Sequence, residues 1–138
     1  MSKLMPDLTV VAEGEAPGGD RWELLVGGPA NDYWTMLETV YRDGRRARGG
    51  AAGPALSPDD LLSLYTGRFE LGPLQVIVRA GARVRRVRLV SEAGERFDML
   101  PAAHVPAIGV TLFAGLLPWT ADVVWIEGLD DDGHVLSP

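Results

Sequence analysis

The chain has 138 residues, enough for one domain of ordinary size over residues 1–138 and too few for two full ones. Apolar residues make up 46% and charged residues 23%, ordinary values for a folded domain, which excludes wholesale disorder, a collagen-like repeat and a long coiled coil. With 13 Lys and Arg against 19 Asp and Glu the net charge is −6, which argues against a protein whose whole surface binds nucleic acid or an anionic membrane.

The absence of cysteine removes disulfides, thiolate metal sites, iron–sulfur clusters and cysteine nucleophiles. Positive charge rests on Arg throughout, with Lys3 the only lysine, and the chain is rich in Ala, Gly and Pro. That bias is what a GC-rich genome writes, so an Arg run here carries less functional weight than elsewhere. Met1 to Asp7 is not followed by an apolar stretch of signal-peptide type, and no later segment approaches about 18 uninterrupted apolar residues. A soluble, cytoplasmic chain is expected.

Turn signals recur at Gly18-Gly19, Gly27-Gly28-Pro29, Asp43-Gly44, Gly72-Pro73, Ala93-Gly94 and Asp132-Gly133, and between them lie short runs rich in Val, Leu, Ile and Trp. Such runs suit strands better than helices. In chain order the expected strands are Leu8 to Ala12, Arg21 to Val26, Tyr33 to Arg42, Leu74 to Arg79, Val84 to Ser91, Arg96 to Leu100, Ile108 to Ala114 and Val123 to Gly128, with a short last one at His134 to Leu136. Tyr33, Met36, Leu37, Val40 and Tyr41 also fit one helical face, but the β-branched and aromatic content and the Asp43-Gly44 hairpin signal favour a strand. Residues 44–55, small and cationic, read as a flexible Gly/Ala/Arg loop with at most a weak edge strand. One short helix is expected near residues 58–66: Ser57-Pro58-Asp59-Asp60 offers an N-cap, a first-turn proline and two carboxylates, Leu61, Leu62, Leu64 and Tyr65 follow, and Gly67 closes it. The expected fold is a mainly β, antiparallel two-sheet sandwich of immunoglobulin-like or related topology.

Arg79, Arg83, Arg85, Arg86 and Arg88 form a cationic run with no acid in it. Alternation on a strand places Arg86 and Arg88 on one face and Val87 and Leu89 on the other, with a bulge or turn at Val84. The result is a basic stripe on a solvated face. It serves either an anionic or acidic protein partner, helped by Arg45, Arg46 and Arg48, or simply solubility, and the lack of interleaved aromatics argues against nucleic acid. Asp122, Glu127, Asp130, Asp131 and Asp132 form an acidic counter-pole. Asp130 and Asp132 have the spacing of a calcium loop, but the chain stops before the later ligands of an EF-hand, so a polar hairpin turn is the stronger reading than a weak calcium or magnesium site. Attraction between this pole and the Arg stripe of another copy would favour assembly.

His104 and His134 are the two histidines. The chain has no G-x-S-x-G elbow, H-E-x-x-H, Walker loop or G-x-G-x-x-G, so neither a catalytic centre nor a cofactor is expected. Of the four tryptophans, Trp22 and Trp125 alternate with core-like neighbours and are expected inside. Trp34 and Trp119 sit near element ends, where they cap the core or anchor a ligand or partner.

Tyr33-Trp34-Thr35-Met36-Leu37, Gly53-Pro54-Ala55-Leu56, Tyr65-Thr66-Gly67, the stretch Val76 to Leu89, Phe113 to Pro118 and Asp132-Gly133-His134-Val135-Leu136 together resemble small β-sandwich domains of unknown function from GC-rich bacteria. The resemblance implies a β-sandwich and transfers no catalytic residue. The sequence thus points to a non-enzymatic interaction module that binds a protein or itself, with Arg79, Arg83, Arg85, Arg86, Arg88, Trp34 and Trp119 as the partner-binding candidates. The alternatives are a carbohydrate- or small-ligand-binding sandwich using Trp34 and Trp119 and, more remotely, a hydrolytic enzyme.

Overall fold

The computed structural model describes residues 6–16, 18–54, 56, 60–69, 72–119 and 122–136. Its strands are β1 (Thr9–Glu15), β2 (Arg21–Gly27), β3 (Tyr33–Val40), β4 (Arg46–Gly53), β5 (Leu62–Gly67), β6 (Leu74–Ala80), β7 (Arg86–Ser91), β8 (Arg96–Met99), β9 (Ala103–Val105), β10 (Val110–Leu117) and β11 (Val123–Leu129). They form three antiparallel sheets: β1-β2-β3-β4, β5-β6-β10-β9 and β11-β7-β8. The expected mainly β, antiparallel character is present, but in three sheets rather than two.

The second sheet lies between the other two. Period-2 alternation divides its side chains: Ile77 of β6 and Val110, Leu112, Ala114 and Leu116 of β10 pack on Leu24, Val26, Tyr33 and Leu37 of the first sheet. Leu74, Val76, Val78 and Ala80 of β6, with Phe113 and Leu117 of β10, pack on Val87, Leu89 and Met99 of the third. All seven residues of β6 are therefore buried. A strand covered on both faces reads as a continuous apolar run, as Leu74-Gln75-Val76-Ile77-Val78 nearly does.

Gln75 and Arg79 are the polar exceptions on β6, and both bond to the first sheet. Gln75 Nε2 donates to Leu37 O at 3.1 Å, to Thr39 Oγ1 at 2.8 Å and to Ala47 O at 3.2 Å. Arg79 is 8% exposed and donates to Thr35 Oγ1, Tyr33 O, Gly53 O and Pro54 O. Buried polar groups need such partners, and these fix β6 against β3 and β4 in one register.

Two local expectations are corrected. Residues 62–67 form β5, paired along its length with β6, and not a helix; Ser57, Pro58 and Asp59, which carry the capping signal, lie outside the described residues. The described helical segments are single 3₁₀ turns at Ala30–Asp32 and Pro106–Ile108. The capping chemistry was local, and the pairing of Leu62 to Gly67 with a buried strand outweighs it. Residues 46–53, read as part of a loop with at most a weak edge strand, form the edge strand β4, paired along its length with β3. Its small residues reflect close approach: a Cβ at Gly50 would strike Thr35 O and stand 2.8 Å from Met36 Cα. His134 to Leu136 shrinks to an isolated bridge, Leu129 to Val135.

Candidate interaction surface

The third sheet presents an outer face built on β7, its central strand. Val87 and Leu89 point inward, so Arg86 and Arg88 point out, as alternation requires. The register sets Arg88 opposite Asp98 of β8 on one side and Glu127 of β11 on the other. Arg88 Nε and Nη2 donate to the two oxygens of Asp98 at 2.9 and 3.2 Å, and Nη1 stands 4.0 Å from Glu127. The hydrogen bonds from Arg88 hold the Asp98 carboxyl below its ordinary value, and the same contact raises the Arg88 guanidinium above its own.

The stripe expected to be purely basic is therefore a mixed-charge face. Arg85 lies 3.8 Å from Asp131, and Arg86 Nη2 donates to Asp131 O at 3.3 Å. The acidic pole near the C-terminus meets the Arg run within one chain, because β11 is the neighbour of β7. Arg83 and Arg85 are exposed beside it. Arg79 is not part of this surface: it faces the first sheet, buried, and burial pushes its guanidinium below the ordinary value.

The tryptophans also change places. Trp119, a candidate anchor, is only 6% exposed and packs in the core between the second and third sheets, where Arg68 Nη2 donates to its carbonyl. Trp125, expected inside, is 59% exposed and donates from Nε1 to Glu127 Oε1 at 2.8 Å. A β-bulge between Val123 and Trp125 explains the inversion: Val124 is an extra residue, so Val123 and Ile126 take the inward positions and Trp125 turns out. Trp22 packs half-buried against the core of the first two sheets, and Trp34 is half-buried on β3. Trp34 and Trp119 thus stand on different layers and form no shared platform.

Trp125 and the equally exposed Val124 lie on β11, an edge strand. Among the described residues, the outer edge of β11 is met only near its end, where Leu136 N–H donates to Gly128 O and Val135 bridges Leu129. An edge with unpaired backbone groups and exposed apolar side chains is a template for pairing with another chain.

The remaining candidates build less. Asp130, Asp132 and His134 bring ligand atoms within 4.8 Å of one another, but Asp130 Oδ1 already accepts the N–H groups of Asp132 and His134. Those bonds hold the Asp130 carboxyl below its ordinary value and make the cluster a hairpin turn. His104 Nδ1 meets Thr111 Oγ1 at 3.4 Å on the β9–β10 pair. No described helix is long and apolar enough to cross a membrane.

Fold and surface together define an antiparallel β protein of three sheets with a mixed-charge face and an open, apolar edge on its third sheet. Comparison with protein-family models, with curated proteins and with solved structures finds no match.

Proposed function

We propose that the chain is a non-enzymatic recognition module that binds a protein, or a second copy of itself, through the β11 edge and the outer face of the third sheet. The observation that carries this reading is Trp125, a large apolar side chain left in solvent beside Val124 on an edge strand. Tryptophan is enriched among the residues that dominate binding energy, and Glu127, which accepts from its indole, with Arg88 beside Glu127, supplies polar groups next to this anchor. Arg86, which points out of β7 on the same face as Arg88, adds charge that sets approach and orientation, and Arg83 and Arg85 are exposed in the turn just before that strand.

The module reads as immunoglobulin-like in its last seven strands. What supports this is strand order: β5-β6-β10-β9 stacked on β11-β7-β8 follows the A-B-E-D and F-C-C′ arrangement of that fold, with residues 134–136 where a last strand beside β11 belongs. The meander β1 to β4 then forms an added layer on the first of those sheets.

The test is affinity capture at low and high salt, with sedimentation of the purified protein, for wild type, Trp125→Ala and Val124→Asp. The expected result is a partner or dimer formed by wild type and lost from both variants while their thermal stability is unchanged. Binding retained in both variants would overturn the reading.

A further inference from the structure

We infer that the cleft between the β6–β7 turn and the β9–β10 pair is a binding site for a small organic anion, a carboxylate or phosphate group on a short apolar body. The cleft holds about 510 Å³, a usual size for a small-molecule site. Val84 and Arg85 of the turn line it, with Pro101 and Ala102 of the segment before β9, His104 of β9 and Thr111 of β10.

Strand alternation places the polar groups. Phe113 of β10 packs toward the third sheet, so Thr111, two residues before it, faces that side as well. His104 stands directly opposite Thr111 in the β9–β10 register, and its Nδ1 lies 3.4 Å from Thr111 Oγ1. When the hydroxyl donates to Nδ1, the ring proton sits on Nε2, which meets no partner among the described residues. The turn that carries Arg85 is pinned too. Val84 N–H donates to Gly81 O at 3.1 Å, Arg85 N–H donates to Leu129 O at 2.8 Å, and the Val84 side chain is buried. The fold thus fixes the backbone on both sides of the cleft before a ligand arrives, which lowers the ordering cost of binding.

Charge selects an anion. Among the described lining residues Arg85 and His104 are the ionisable ones and none is acidic, in a chain of net charge −6. Asp131 approaches Arg85 Nε at 3.8 Å, but the two side chains are 60% and 79% exposed, and such surface pairs are weak. Among the described residues Nη1 and Nη2 of Arg85 meet no acceptor, which leaves the guanidinium fork for the oxygens of a carboxylate or phosphate. Val84, Pro101 and Ala102 supply apolar surface for a short hydrocarbon portion.

The probes are butyrate and propyl phosphate, with neutral butanamide as the control, each titrated into the full chain and followed by amide and imidazole chemical shifts. The expected result is saturable shifts at Arg85, Ala102, His104 and Thr111, with a dissociation constant of about 1–10 mM for at least one anion. The tighter of the two names the head group, and butanamide should not bind. Arg85→Met should weaken binding at least about tenfold, and His104→Ala should weaken it as well. Both residues are exposed, so neither substitution disturbs the core. Arg21→Met, which removes an exposed cation from the first sheet, should bind as wild type does. The inference fails if neither anion gives a saturable shift at these residues up to about 50 mM, or if butanamide binds as tightly. It fails equally if Arg85→Met and His104→Ala bind like wild type, or if Arg21→Met loses as much affinity as they do.

Discussion

Arg79 of β6 reaches across to β3, where its Nε and Nη2 both donate to the hydroxyl of Thr35, at 3.1 and 2.8 Å. The remaining donors go to Tyr33 O at 2.6 Å and to Gly53 O and Pro54 O at 3.3 and 3.2 Å. The acceptors are all neutral. Among the described residues this cation is held by hydrogen bonds rather than by an ion pair, and it ties β3, the end of β4 and β6 into one unit.

Removing that tie should be costly, because the carbonyls it satisfies lie away from water. Arg79→Met is expected to lower stability by about 3 kcal/mol and Thr35→Val by about 1–3 kcal/mol. Urea unfolding would show a lower midpoint with an unchanged slope, and the double variant should cost less than the sum of the two.

The exposed and buried tryptophans should separate cleanly. Trp119→Ala is expected to cost about 3–5 kcal/mol, and Trp125→Ala no more than about 0.5 kcal/mol. In single-tryptophan proteins, iodide should quench Trp125 strongly and Trp119 hardly at all. A quenched Trp119 would remove it from the core.

Arg88 and Asp98 predict a pH signature. The folded pKa of Asp98 is lowered, so the pair adds stability above the unfolded carboxylate value, about 3.9, and that stability is lost as pH falls through the lower folded value. In Arg88→Met, an NMR titration of Asp98 should move back up toward the ordinary value. Thermal stability of the variant should differ from wild type at pH 6 and converge with it in strong acid.

Glycines of β4 should divide by what surrounds them. Gly50→Ala drives a Cβ into the backbone of β3 and is expected to cost about 1–3 kcal/mol. Gly53→Ala meets nothing within 4 Å and is expected to be neutral or to stabilise by up to about 1 kcal/mol. Equal effects would contradict the close approach of β4 to β3.

Much of the β framework is legible in residue order. β2, β3, β6, β7, β8 and β11 fall within two residues of where alternation and turn signals place them, because each is a short segment, all but β8 rich in apolar residues, set between turn signals. The outward turn of Arg86 and Arg88 is likewise local, since strand side chains alternate whatever the sheet they join. The same logic misses β4, whose glycines resemble a loop until the crowded surface of β3 is known.

Which groups meet, in contrast, rests on pairing between distant segments. Nothing near Arg88 announces Asp98 or Glu127, and nothing near Arg79 announces Thr35, because strand order is a property of the assembled sheets. A single bulged residue, Val124, reversed the faces of Trp125 and its neighbours. Composition, solvated charge and most strand positions follow from short-range chemistry along the chain. The partition of cations between a buried tie and a surface face, the exposed tryptophan and the cleft beside His104 follow from long-range packing, in which a one-residue shift exchanges inside for outside.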